Sequence, residues 1–373
     1  MAAKILLSYA KAEIPDNNME SEMLKNLYRL CFTLTVALSA QLSWAKDNAV
    51  ILLYHHVSTQ TPAVTSVSPA LFREHLAYLA QHHQVLPLKT IIDALKNHQA
   101  LPDKAVAITF DDGYDNIFAN AHPLLKEFGF PYTVFVNPPL IGSVSYQMNW
   151  SQIKTMAAEG ATFANHGNYH DHLLSKQSGE SQQQWLQRVM NDVEQAEAML
   201  EQELGYSLKY FAYPYGEYNL RLKNALHERG YIGFAQTSGA IASYSDFAAL
   251  PRYPAAGIYS KLSSLSTKLN SLAMPVSDIS PQDPILTLPT SAFDFSFSVQ
   301  SSDINIAQLA CFVADKSITI HKQNNRITVP FSPVSRAGRQ RINCTSPSVG
   351  DKGRYYWFSQ PWFIATEDGR WLD

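Results

Sequence analysis

Charge is scarce in this sequence: Asp, Glu, Lys and Arg together make up 16% of its 373 residues. The two signs nearly cancel, with 29 Lys and Arg against 32 Asp and Glu, and no long basic run occurs. A nucleic-acid surface is thereby excluded, since phosphate binding relies on clustered Lys and Arg. Cysteine is scarcer still, at three residues. A disulfide-dense scaffold is therefore excluded as the basis of the fold. The apolar stretch at residues 30–38 is too short to span a bilayer. No internal repeat is visible, so a solenoid is not expected. What is abundant is apolar matter: hydrophobic residues reach 46%, enough for a packed globular chain with one large and one smaller domain.

The N-terminus has the pattern of an export signal. Lys25 and Arg29 precede the apolar stretch, and Ser43-Trp44-Ala45 fits a small-x-small cleavage site. Residues 1–22, polar and containing Pro15, fit no part of such a signal, so translation is expected to start at Met23, with a genuine but disordered extension as the alternative. Residues 1–45 are thus read as extension plus signal peptide, and the mature chain as an exported protein of the periplasm or extracellular space. Cys31 is lost with the signal. Cys311 and Cys344 remain, and in an exported chain they point to one disulfide, with two buried free thiols as the alternative.

Short β-branched runs then alternate with helical stretches. Strands are expected at 50–54, 105–110, 132–137, 161–165, 209–213, 231–235 and 249–253. Between them come helices from Pro69, with Ser68 as N-cap, from 88 to 97, from Ile117 to Gly129, from Ser151 to Gly160, from 181 to 203 and up to Gly230. Such alternation predicts an α/β fold with a parallel sheet, and seven units suggest a barrel with its site at the strand C-termini. After Pro281 the texture becomes all-β, as in the period-two run Phe293-Asp294-Phe295-Ser296-Phe297. The expected partition is a catalytic domain at 46–270, a linker at 271–282 and a small all-β domain at 283–373. Tyr355-Tyr356-Trp357-Phe358 and Trp362 fit either a sugar platform or, more commonly, core and partial cover. Glycan or protein contact through this C-terminal part stays open.

The unusual residues fall at the strand ends. Asp111 and Asp112 close the second strand, although adjacent carboxylates repel one another. His166 and His170 follow the fourth, and histidines four apart share one side of a helical turn, so both rings can reach one ion. Two His and one carboxylate leave coordination positions open, as in a catalytic site. One aspartate then binds the ion, and the other is free to accept a proton. Asp-Asp-Gly alone is ordinary turn chemistry, and His-x-x-x-His alone is common on surfaces. Their joint placement at neighbouring strand ends carries the reading. Pro214-Tyr215-Gly216 makes a rigid turn able to present a backbone N–H, or is only a turn.

Thr109-Phe110-Asp111-Asp112-Gly113 resembles the first motif of the polysaccharide deacetylases, the NodB-homology group. His166 to His170 resembles their second motif, and Phe211 to Gly216 their third. The resemblance covers about residues 48–260. Leu53-Tyr54-His55-His56-Val57 and Leu250-Pro251-Arg252 look most like the branch acting on exported poly-N-acetylglucosamine. It implies a distorted (β/α)7 barrel and one divalent ion, usually zinc, on Asp112, His166 and His170. It also implies Asp111 as general base and the Tyr215 N–H as oxyanion donor. The implied reaction is hydrolysis of an N-acetyl group on an acetylated polysaccharide or oligosaccharide, of poly-N-acetylglucosamine or chitin type, with O-acetyl esters and peptidoglycan as open alternatives.

Several positions depart from the pattern. Ala212 stands where many members carry an arginine, and Arg252 is the candidate to supply that charge to Asp111. No late histidine motif is visible, and His55, ending the first strand, is the candidate general acid, with a satisfied structural histidine as the alternative. Gly167 replaces the customary Ser/Thr of the second motif and Asp171 its closing proline. His172 is read as a surface or supporting residue. The rival function is a glycan-binding protein on a degraded deacetylase scaffold, favoured by the missing arginine and acid histidine and opposed by the intact Asp111, Asp112, His166 and His170.

Overall fold

The computed structural model describes residues 46–372. The signal-peptide and translation-start expectations fall on residues 1–45 and lie outside the described residues. Six strands run parallel, side by side and in chain order: β1 (Ala49–Tyr54), β2 (Ala105–Phe110), β3 (Thr133–Val136), β4 (Thr162–Asn165), β5 (Tyr210–Ala212) and β6 (Ile232–Phe234). Nearly every residue in them is buried, which is why they read as unbroken apolar runs rather than alternating ones.

The expected seventh strand is broken. Leu250 bridges Phe234 in parallel, then Tyr253 and Pro254 pair in parallel with Leu52 and Leu53. Pro251 has no N–H to give a ladder, and the Arg252 N–H bonds Thr237 O at 2.9 Å instead. Ala240 and Ile241 pair antiparallel with the start of the same β1 edge. The sheet curls back on itself through these short pieces.

Helices start and stop where local chemistry dictates. In α1 (Pro69–His82) the Ser68 side chain accepts the Leu71 N–H. Capping boxes open α2 (Trp150–Ala158), through Asn149 and Gln152, and α3 (Gln182–Leu204), through Ser181 and Gln184. The stretch after Ile117 begins with a π turn before the α-helix His122–Phe128, and Pro123, which has no N–H to donate, sits where the π turn gives way to that helix. Among the described residues no helix is long and apolar enough to cross a membrane.

Beyond residue 271 the described chain forms strands, short turns and one 3₁₀ turn, but no α-helix. The segment expected as a linker contains strands: Leu272 and Ala273 pair with Tyr356 and Trp357, and Val276–Ser280 pairs with Phe293–Val299. One sheet is built on β7 (Ala310–Val313), β8 (Gly338–Pro347) and β9 (Tyr355–Ile364), the other on Phe293–Val299 and Arg326–Phe331. Their apolar faces meet through Phe295, Phe297, Ile342 and Trp362. Cys311 and Cys344 stand opposite each other in neighbouring strands and are joined by a disulfide. Trp362 is fully buried and Trp357 packs edge-on to Tyr253 of the curled sheet, so these two aromatics serve as core and contact.

Candidate active site

The first motif leaves the sheet abruptly. The Asp111 N–H bonds Tyr54 O at 3.0 Å, extending the sheet by one step. Asp112 and Gly113 then both take left-handed backbone, φ 73° and 74°. Aspartate tolerates this region better than most residues, while a Cβ at Gly113 would sit 2.9 Å from Val136 Cγ1. The reversal leaves Asp111 in the interior and turns Asp112 toward β4.

His166 follows β4, its N–H bonded to Val136 O at 2.9 Å. Its Nδ1 lies 2.8 Å from Ala212 O. A carbonyl can only accept, so Nδ1 carries the proton and the Nε2 lone pair is available. The expectation that His166 and His170 share a helical turn is corrected: the segment is a loop, with left-handed backbone at Gly167 (φ 74°) and His170 (φ 57°). Those two reversals, not a helical period, fold the second histidine back onto the first. Asn137 Nδ2 clamps the loop by donating to His166 O and Gly167 O at 2.6 and 3.1 Å. Asn165 Oδ1 accepts the Gly167 N–H at 2.8 Å.

His166 Nε2 and His170 Nε2 lie 3.2 and 3.3 Å from Asp112 Oδ1. One donor atom from each of the three residues falls within 4.8 Å of the others. Asp112 Oδ1 and His166 Nε2 are buried and make no hydrogen bond. The His166 lone pair, His170 Nε2 and an orphaned carboxylate oxygen lie together, a donor set that could hold a divalent cation. Burial works against ionisation of Asp112, but the adjacent His166 ring, with His55 and His170 nearby, holds its carboxyl well below the usual range. Burial, aided by the charge of His166, pushes the His170 ring down to about 4.

Asp111 is fully buried and takes two 2.7 Å bonds from Arg252, one on each oxygen. Arg252 is itself fully buried, donates from Nε to Ala235 O at 3.1 Å, and stacks its guanidinium 5.2 Å from the Phe135 ring centre. Burial alone would raise the Asp111 carboxyl; the Arg252 charge, joined by His166, outweighs it and holds the group below its ordinary value. The cation absent from the third motif at Ala212 thus reaches Asp111 from the broken seventh strand.

Tyr215 occupies the Pro214–Gly216 turn with φ 55°. Its ring meets His170 at 4.4 Å and stacks on His172 at 3.9 Å, and His172 Nδ1 lies 2.9 Å from Glu217 Oε2. His172 therefore supports the turn. His55 is half-buried and lies close enough for its charge to act on Asp111, Asp112 and His170. Sequence reasoning missed Tyr114, whose ring stacks on His56 at 3.8 Å and whose hydroxyl is pushed well above its ordinary pKa by burial and the nearby Asp112. Its position directly after Asp112-Gly113 was the available signal.

Residues 98–233 match the family model described as polysaccharide deacetylase. Over this stretch the chain resembles the polysaccharide deacetylases. It is 28% identical over 235 residues to the poly-beta-1,6-N-acetyl-D-glucosamine N-deacetylase of Staphylococcus epidermidis, covering 57% of this chain and 80% of that one. It is 23% identical over 257 residues to the Escherichia coli (strain K12) protein of the same description, covering 58% of this chain but only 38% of that longer protein. Among solved structures, IcaB from Ammonifex degensii superposes with a TM-score of 0.52 at 25% identity, covering 60% of this chain and 98% of that one. The match to the deacetylase family model ends before Arg252 and before the C-terminal sheets, so both lie outside what the model describes.

Proposed function

We propose that this chain is a metal-dependent N-deacetylase of an exported glycan, poly-N-acetylglucosamine or a chitin-like oligomer, releasing acetate. The observation that carries the reading is the Asp112, His166 and His170 cluster set beside an Asp111 fixed by Arg252. Relatives described as poly-beta-1,6-N-acetyl-D-glucosamine N-deacetylases support the substrate class. The Cys311–Cys344 bond suits an oxidising compartment, in keeping with export to the periplasm or beyond. We read the curled sheet as the distorted seven-unit barrel at 46–270, with the β layers from 283 as a separate domain.

Asp112, His166 and His170 would hold a divalent ion, zinc in this reading, which supplies a Lewis acid for the acetamide carbonyl and acidifies water. Arg252 keeps Asp111 ionised at neutral pH and fixes its plane, while each carboxylate oxygen retains a second lone pair. Asp111 accepts the proton of the attacking water. The Tyr215 N–H donates to the carbonyl oxygen as negative charge develops there. His55 returns a proton to the departing sugar amine, so that amide and water become amine and acetate. The missing third-motif arginine had favoured a glycan-binding protein; with Arg252 beside Asp111 that argument loses its force.

The test is acetate release from N-acetylglucosamine oligomers by wild type and Asp111→Asn, with bound metal measured in both. Release lost in the variant while metal stays bound is the expected result. Equal release by both proteins would overturn the assignment of Asp111, and no release from either would overturn the deacetylase reading for this substrate class.

A further inference from the structure

Tyr215 holds a left-handed backbone that a bulky residue adopts only when its surroundings impose it. Three restraints lie within the curled sheet: the His170 and His172 rings and the Gly216 N–H bond to Tyr213 O at 2.8 Å. A fourth comes from the C-terminal strand β8. Arg339 Nη1 donates to Tyr215 O at 2.9 Å and reaches Gln236 Oε1 at 3.4 Å. Two residues along the same strand, and so on the same strand face, Arg341 Nη2 donates to Tyr259 Oη at 2.6 Å. The loops carrying Tyr215 and Tyr259 both follow strand C-termini, the end of the sheet that bears Asp111 and His166. β8 therefore straps two loops of the catalytic end.

We propose that Arg339 is a positioning residue for deacetylation. Fixing the carbonyl of Tyr215 fixes the plane of the 215–216 peptide and with it the Tyr215 backbone torsions, which aim its N–H at the developing oxyanion. The inference rests on the deacetylase reading and gives the C-terminal sheets a part in the reaction. Arg339 is exposed, and β8 is held independently of it, by pairing with β9 along its whole length and by the Cys311–Cys344 bond. Loss of the arginine side chain should therefore leave the fold intact.

The test uses the full zinc-loaded chain as wild type, Arg339→Ala and Arg339→Lys. It measures kcat and KM for acetate release from N-acetylglucosamine oligomers, and amide hydrogen exchange of segment 213–217. In Arg339→Ala, kcat is expected to fall about tenfold, as misalignment of a catalytic donor does, with KM within about twofold. Exchange at 215–216 should quicken, and Arg339→Lys, which retains one donor, should restore part of both. Unchanged kcat, or a change confined to KM, overturns the proposal. A wild type that releases no acetate overturns the deacetylase reading instead. The exchange comparison then still decides on Arg339: faster exchange supports the brace and unchanged exchange overturns it.

Discussion

Arg252 and Asp111 are paired in the interior, Nη1 and Nη2 each 2.7 Å from a different carboxylate oxygen, across 141 residues of chain. Breaking one side of such a pair leaves a buried charge alone. Arg252→Ala is expected to cost about 3–5 kcal/mol of stability, read as a shifted urea midpoint, and to abolish acetate release. Arg252→Lys should restore little, because an ammonium cannot make the paired contact. Asp111→Asn combined with Arg252→Ala should regain part of the stability and none of the turnover.

Zinc binding should appear in stability without any substrate. At about 100 times its dissociation constant, a metal that binds only the folded chain adds about 2.7 kcal/mol. The wild-type melting temperature should rise accordingly on adding zinc to stripped protein. Asp112→Ala and His166→Ala should lose the rise. A rise of equal size in both variants would place the ion elsewhere.

Gly216 tests the third-motif turn. Its φ is 69°, and a Cβ there would lie 2.7 Å from Gln236 Cβ. Gly216→Ala should destabilise by about 1–3 kcal/mol and depress kcat. Gly205, with φ 77° at the end of α3 and open space around it, is the control. Gly205→Ala should cost about 1 kcal/mol and leave kcat unchanged.

His83 sets an acid limit from outside the active site. It is buried after α1, neither ring nitrogen has a hydrogen-bond partner, and burial pushes its pKa down to about 4. The unfolded chain takes up this proton near pH 6.5, so stability is complete above that value and falls between about pH 6.5 and 4. The loss from this residue is at most about 3 kcal/mol. His83→Phe should flatten the unfolding free energy over that window. A slope equal to wild type would assign the acid sensitivity to other groups.

Legibility followed how local each cause is. Strands β1 to β6 are short apolar runs with turn residues behind them; Ser68 and Ser181 cap through their hydroxyls, and Gly129 through the left-handed backbone open to a residue without a side chain. The seventh strand misled because its apolar run contains Pro251, whose missing N–H divides the ladder. The convergence of Asp112, His166 and His170 was readable, but its route was not: glycine announces a reversal at 167, whereas nothing in a histidine announces one at 170. Arg252 came into view only through the family motif that lacks its arginine at Ala212. Asn137, Tyr114 and Arg339 act through loop geometry and distant strand pairing, neither of which leaves a local pattern.

The most direct measurement of the central claim is acetate release from N-acetylglucosamine oligomers by metal-stripped chain titrated with zinc. The account predicts no release from the stripped chain and a rise that levels off at one ion per chain. Release that survives stripping, or its absence with one ion bound, would contradict it.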